Sequence, residues 1–501
     1  MQNILIEKLY QYLSKKSGEA YKDPLLIANI VLSKQLTGGR ILETYIENKN
    51  PPKTTFIFIA KQVFLYVIKN SLQLVMSLVT NFMHKLSGQN FCIKETGELI
   101  ILDTFFLADK ILEKKRFEDT FFPGLSQYLT KMKKVYVYTP RLSGLNNPFK
   151  LFKVFKILKN NNVPVLTHFQ VLGLADYFEA LRFLFFYPFS VTRFMKNLGN
   201  NYEDEILRYG LWENLGSSVL ETEFRFLLGK RLSFMKFSKI KCIGWYENQA
   251  SDKNFYRGLK HTLGQVEIIG TQFFLRCATY LFIKPDEREI KFNVIPDRIL
   301  VDGVAKCFEL NKIKVDIGPT LRDDTLFDDL AIDPSNGNCI LLLMSYYNYI
   351  TDYILRIICD VDWNLPVKIK FHPTTNLKKY KMNFPKFLSV TNEELSDLLP
   401  NARVVVGGAS GVQLLLAARG IPVIDISHPT ELNHDHMPLK IGKGVIWDRA
   451  TSADGVTNLL RQFEELLKNN PVELREESLR LKELYFSEPT EALIDRAFRL
   501  S

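Results

Sequence analysis

Three stretches of this 501-residue chain hold residue types that could do chemistry. The first runs Lys370-Phe371-His372-Pro373-Thr374-Thr375 and follows the apolar segment VKIK. An ammonium group, an imidazole and two hydroxyls at one strand end can all donate to a phosphate, and Pro373 fixes the chain direction there. The second, Gly407-Gly408-Ala409-Ser410-Gly411, lies between RVVV and VQLLLAARG. Glycine lets backbone approach a ligand closely. Ser410 and Gly411 then open a helix, whose free N–H groups and positive dipole end attract anions. The third is GWYENQ, residues 244–249, where Glu247 is a carboxylate able to take a proton from an attacking hydroxyl. Each stretch has a plainer use as well. His372 can pack at a turn, Ser410 can be an N-cap beside a tight turn, and Glu247 can cap a helix or pair with Lys253 or Arg257.

Strands must position these groups, because open α/β sheets bind ligands beyond the carboxyl ends of their strands. In the first half, strand-sized runs rich in Val, Ile and aromatics occur at 99–106, 135–140, 163–169, 240–246 and 266–274, with a helical pattern over 147–161. A segment of about 176–235, dense in Phe, Leu and Arg, is expected to be a helical insert. The second half alternates more cleanly. Strands are expected at 339–346, 367–373, 387–392, 403–409, 421–427 and 444–448, with helices at 347–361, 393–402 and 410–420 and a helical tail from 451. Such alternation predicts βαβ units and parallel sheets. The expected organisation is an N-terminal Rossmann-like domain, 1–325, and a C-terminal one, 326–501. His372 and the glycine-rich turn then fall at the ligand-binding edge of one sheet, on strands expected to be neighbours.

Bulk properties narrow the class. Hydrophobic residues make up 46 % and charged residues 24 %, normal for a folded soluble chain, and 501 residues favour two domains. The formal charge of +10 suits an anionic ligand or an anionic surface, and equally a generally basic solvated one. Six cysteines without a C-x-x-C pair read as free buried thiols in a reducing compartment. The N-terminus lacks a signal-peptide pattern. The most apolar stretch, 62–83, is interrupted by Lys69 and Asn70, which favours a buried helix over a membrane span; a helix lying on lipid is the weaker option.

The order K-x-H-P followed by NARVVVGGASGVQLLLAARGIPVI resembles the nucleotide-binding half of bacterial surface-polysaccharide GT-B transferases: capsule Kdo transferases, bacterial sialyl- and polysialyltransferases, and CDP-glycerol glycerophosphotransferases. The resemblance covers about 110 residues. It implies a GT-B fold, two Rossmann-like domains facing a central cleft, in which His372 and Ser410 contact a cytidine nucleotide's phosphate. The wider phosphate set would be Lys370, His372, Pro373, Thr374, Gly408, Ser410 and Gly411. In such families an acidic motif of the N-terminal domain supplies the base. Glu247 is the candidate here, although the acidic-acidic-Gly triplet of those families is missing. Asn248, Arg257, Arg322, His428 and Glu431 are candidates for donor or acceptor contact. Arg141 could touch an acceptor, and His434-Asp435-His436 reads as a polar turn.

The activity implied is transfer of a 2-keto-3-deoxy sugar, Kdo or sialic-acid-like, from a CMP-activated donor to a glycan or lipid-linked glycan during surface polysaccharide synthesis. A CDP-glycerol-type phosphotransferase, another nucleotide-sugar transferase and a non-catalytic carbohydrate- or nucleotide-binding protein are the alternatives. No metal, separate cofactor or nucleic acid is expected, the CMP-sugar being a substrate. The expected location is the cytoplasm, with contact to the inner face of the membrane as an option.

Overall fold

The computed structural model describes residues 2–36, 40–87, 97–143, 147–215, 219–262, 264–328, 332–373, 375, 377–380 and 387–501. Its strands, in chain order, are β1 (Glu98–Asp103), β2 (Phe105–Leu107), β3 (Val135–Tyr138), β4 (Arg141–Ser143), β5 (Lys239–Trp245), β6 (Val266–Gln272), β7 (Arg298–Val301), β8 (Lys314–Ile317), β9 (Cys339–Leu343), β10 (Val367–Lys370), β11 (Leu388–Val390), β12 (Ala402–Gly407), β13 (Val423–Ile426) and β14 (Trp447–Ala450). They form two six-stranded sheets, ordered β3-β1-β5-β6-β7-β8 and β11-β10-β9-β12-β13-β14, and every pairing is parallel. β2 and β4 make a separate two-stranded ribbon.

Continuous apolar runs become strands because both faces of each sheet are covered. In β1, Leu99 and Ile101 enter one core layer while Ile100 and Leu102 enter the other. β9 repeats this, with Ile340 and Leu342 on one side and Leu341 and Leu343 on the opposite side. Burial on both faces is what a helix-flanked parallel sheet requires, and each such side chain contributes about 1.5–3 kcal/mol.

Several expectations need correction. The 163–169 run is not a strand: Val165 makes a single bridge to Tyr138, and a helix starts at His168. The last strand of the second sheet lies at Trp447–Ala450 rather than 444–448. β10 and β12 are not neighbours, because β9 runs between them. Cys242, Cys277 and Cys339 are buried, but Cys307 and Cys359 are exposed; Cys92 lies outside the described residues. The 62–83 stretch is helical, within Phe56–Ser87, yet it is not a buried helix: its apolar residues face outward.

A helical body stands beside the first sheet. Gln2–Ala20, Leu174–Lys196, Tyr202–Glu213 and Val219–Ser233 share one apolar core, so the expected insert is joined by N-terminal helical chain. A buried charge triad ties that body down: Lys34 Nζ lies 2.9 Å from Glu289, which also pairs with Lys253, and all three side chains are fully buried. Burial pulls the Lys253 ammonium down to about 8. Val219–Ser233 lies against the helix Ala250–Leu259 with their backbones touching. A Cβ added to Gly258 would sit 2.2 Å from the Phe226 carbonyl oxygen, and one on Gly229 would sit 2.5 Å from that of Phe255. Only glycine permits this approach, which fixes the helix that follows GWYENQ.

In the tail, Ala453–Asn469 and Pro471–Tyr485 cover the second sheet, whereas Glu491–Phe498 returns to the first. Ile494, Ala497, Phe498 and Leu500 join the first domain's core, and Arg499 pairs with Glu267 at 2.8 Å.

Candidate active site between the domains

The carboxyl ends of the two sheets are joined by one loop. Beyond β6, residues 273–283 leave the first domain and reach the second. Thr279 Oγ1 and His434 Nδ1 share a hydrogen bond of 2.7 Å, and Tyr347 Oη donates to Tyr280 Oη at 3.3 Å. The His434 ring stacks on Tyr347 with centroids 3.8 Å apart, and Tyr280 lies edge-on to His436 at 5.5 Å. Burial pushes both imidazoles down to about 4, so they are neutral at physiological pH. It pushes the Tyr280 hydroxyl up to about 12.

On the second domain's wall, the glycine-rich turn follows β12. A Cβ on Gly408 would meet the Ile426 carbonyl oxygen at 2.4 Å, and Ala409 sits in the left-handed region with φ 49°. Ser410 is half-buried, and its N–H donates to Gln413 Oε1 at 3.3 Å. Gly411 faces the interdomain loop: its Cβ would lie 3.3 Å from Leu275 Cβ and 3.8 Å from His436 Nδ1. His372, after β10, is half-buried, with its imidazole pushed down by burial and its ring 5.3 Å from Tyr346. Pro373 is exposed, and Thr374 lies outside the described residues. Lys370 turns toward β11, donating to the Glu393 carbonyl. His372 and the glycine-rich turn therefore flank the end of β9, with Ser345, Tyr346 and Tyr347 between them.

On the first domain's wall, GWYENQ leaves β5. The Asp252 carboxylate accepts from the backbone N–H groups of Glu247 (3.1 Å) and Gln249 (3.0 Å), and Arg141 pairs with it at 2.6 Å. Burial raises Asp252 to about 6. Asn248 takes φ 56° and donates from Nδ2 to the Phe282 carbonyl at 2.6 Å, anchoring the turn to the interdomain loop. Glu247 itself is half-buried. Trp245 Nε1 donates to one of its oxygens at 3.0 Å and Gln249 Nε2 to the other. Its negative charge is a minor contributor, after burial, to holding the Tyr280 hydroxyl proton on, while His436 meets the Tyr280 ring from the second domain's wall. The exposed Arg322 guanidinium lies over Trp245, 5.6 Å from the ring centre, at the mouth of the same wall.

Other candidates sit elsewhere. Arg257 is five positions after Asp252 on one helix, which turns it by roughly 140° relative to Asp252. It points outward, over Phe226 and onto the Pro24 carbonyl at 2.8 Å, where it helps line a separate cavity of about 630 Å³. His428 caps a turn: its Nδ1 accepts from Glu431 N–H at 3.0 Å and its ring lies 4.5 Å from Tyr353. Glu431 is exposed. Arg141 is buried in its pair with Asp252 rather than free to touch an acceptor from the cleft.

A cavity of about 450 Å³ adjoins the first wall at the ends of β1 and β3. Arg141, Arg225, His168 and Phe224 line it, with Met76 and Thr80 of the helix Phe56–Ser87. Arg225 pairs with buried Asp103 at 2.7 Å, and burial beside that guanidinium drives the His168 imidazole down to about 3.

Two six-stranded parallel sheets in two Rossmann-like domains, brought together at their carboxyl ends by the loop 273–283, match the GT-B class of fold. No sequence family and no curated protein matches the chain. Solved structures similar to it include MurG from Acinetobacter baumannii (10 % identity, TM-score 0.43, covering 80 % of this chain and 99 % of that one) and the glycosyltransferase SnogD from Streptomyces nogalater (13 %, 0.38, 81 % and 99 %). The wall teichoic acid polymerase TagF is another (10 %, 0.39, 89 % and 98 %).

Proposed function

We propose that the chain is a transferase that moves a nucleotide-activated sugar across the interdomain cleft, the donor being a CMP-linked 2-keto-3-deoxy sugar and the acceptor a surface glycan. The observation that carries this reading is the interdomain loop 273–283, which takes a hydrogen bond from Asn248 of the Glu247 turn on one wall and meets the glycine-rich turn on the other through Leu275 beside Gly411 and Tyr280 beside His436. In the proposed reaction the backbone of residues 408–411 and His372 hold the donor phosphate. Glu247, oriented by Trp245 and Gln249, takes the proton from the acceptor hydroxyl. The acceptor oxygen forms the new bond to the anomeric carbon as the bond to the phosphate oxygen breaks, and CMP leaves with that electron pair.

Melting the protein with CMP, CDP, UDP or GDP tests the donor. CMP at 100 times its Kd should add about 2.7 kcal/mol of stability. Stabilisation by UDP or GDP without any by CMP refutes the cytidine assignment, and stabilisation by CDP alone moves the reading to a CDP-glycerol-type donor. Glu247→Gln should bind nucleotide normally and lose turnover; an active variant removes Glu247 as the base.

A further inference from the structure

The helix Phe56–Ser87 is amphipathic in the reverse sense. Its buried positions are Tyr66, Asn70, Ser77, Thr80, His84 and Ser87, a polar stripe at helical spacing. Tyr66 Oη donates to the Leu184 carbonyl, and Ser77 Oγ meets Tyr177 Oη at 3.3 Å, so polar groups attach this helix to the protein. The outward stripe is apolar: Phe56 is 84 % exposed, Phe64 64 %, Leu72 60 % and Phe82 59 %. A helix whose outer surroundings are water buries its apolar stripe and exposes its polar one.

The neighbouring helix Leu174–Lys196 runs antiparallel to it, since Tyr66 meets Tyr187 while Ser77 meets Tyr177. It adds a second apolar row, with Leu174 76 % exposed, Phe178 71 % and Phe185 64 %. The two rows form one face far beyond the scattered apolar residues normal on a monomer.

Charge says what covers that face. Lys61, Lys69, Lys85, Arg182, Arg193 and Lys196 are exposed on the two helices, and none is ion-paired among the described residues. Phe56–Ser87 contains no acid. Both acids of the second helix are already paired, buried Asp176 with Arg231 at 3.0 Å and partly exposed Glu179 with Lys230 at 2.9 Å. A protein partner would normally present mixed charges, whereas an apolar face fringed by unpaired cations matches an anionic bilayer. Crossing the bilayer does not fit, because the helix Phe56–Ser87 lies along the folded body, and Tyr66 and Ser77 bond to it three turns apart.

We infer that Phe56–Ser87 and Leu174–Lys196 form an in-plane docking surface for anionic phospholipid bilayers. The cavity lined by Arg141 and Arg225 opens beside that surface, since Leu72 and Met76 belong to its wall. An acceptor held in the bilayer by an apolar tail could then present its polar group there; that corollary rests on the transferase reading, whereas the docking surface does not.

Co-sedimentation with sucrose-loaded vesicles tests it. Partition into phosphatidylcholine containing phosphatidylglycerol should exceed that into pure phosphatidylcholine by roughly tenfold or more, and should weaken as salt rises. The double variant Phe64→Glu/Phe185→Glu changes exposed positions, so it should keep the wild-type melting midpoint and circular dichroism spectrum and lose vesicle binding. A variant Lys61→Gln/Lys69→Gln/Lys85→Gln should lose the preference for anionic vesicles. Three results overturn the inference: no partition of wild type into either vesicle, resistance of the membrane-bound protein to alkaline carbonate extraction, or a soluble dimer that Phe64→Glu/Phe185→Glu converts to monomer. Nucleotide-induced stabilisation, measured separately without vesicles, reports on the transferase reading alone.

Discussion

Acidification should loosen the contact between the domains through His434. Its side chain is buried, hydrogen-bonded to Thr279 and stacked on Tyr347, and burial lowers its pKa to about 4, with the charge of nearby His436 acting in the same direction. The unfolded chain has a histidine pKa of about 6.5. Because the folded value is the lower one, the stabilisation is complete above pH 6.5 and is lost as pH falls through 4. For one such group the loss is ~2 kcal/mol at pH 5 and approaches ~3 kcal/mol near pH 4. Asp252 and Asp425, both raised by burial to about 6, act oppositely, since the folded state binds their protons more tightly than the unfolded one. A difference between two proteins isolates the histidine. His434→Gln should be less stable than wild type at pH 7.5, and should lose ~2 kcal/mol less than wild type between pH 7.5 and pH 5 in parallel melts or urea titrations. Equal losses in both proteins would refute the argument. So would a His434 imidazole that titrates near 6.5 by NMR in the folded protein.

Two further substitutions probe the walls of the cleft. Gly408→Ala places a methyl group 2.4 Å from the Ile426 carbonyl oxygen, so backbone must shift; the melting midpoint should fall by the equivalent of about 1–3 kcal/mol and nucleotide-induced stabilisation should drop with it. Arg225→Met strips the buried Asp103 carboxylate of its partner and should cost about 3–5 kcal/mol, and adding Asp103→Asn should recover much of that loss.

The two parallel sheets were legible because their strands are buried on both faces, leaving uninterrupted Val/Ile/Leu runs such as 340–343 and 404–406. β7 and β8 were missed: each has four residues, and β8 reads KVDI with no apolar run. Strand order was not readable, since a crossover does not record how many strands it passes; this is why β9 came between two motifs expected to be adjacent. His372, the glycine-rich turn and Glu247 were visible from residue type and position after a strand. The aromatic layer between the walls was not, because Tyr280, Tyr347, His434 and His436 come from three separate segments. Its local signs were the Tyr-Tyr pair after β9, which reads equally as the start of the next helix, and His434-Asp435-His436, which reads as a polar turn although His434 is buried against Tyr347. The outward-facing helix was misread because an apolar stripe reads as core until its surroundings are known.

The path of the tail bears on how the cleft can move. The chain passes between the domains twice, once after Ile317 and once near Ser487. The two passages are laced together: Thr320 N–H donates to the Ser487 carbonyl at 2.8 Å, and Ser487 N–H to Thr320 Oγ1 at 2.9 Å. With Glu491–Phe498 seated in the opposite core, the domains are joined by a two-strand hinge. Any rotation about that crossing has to break the Thr279–His434 and Tyr347–Tyr280 hydrogen bonds of the interdomain loop, so the laced passages and the loop together hold the cleft in its present alignment.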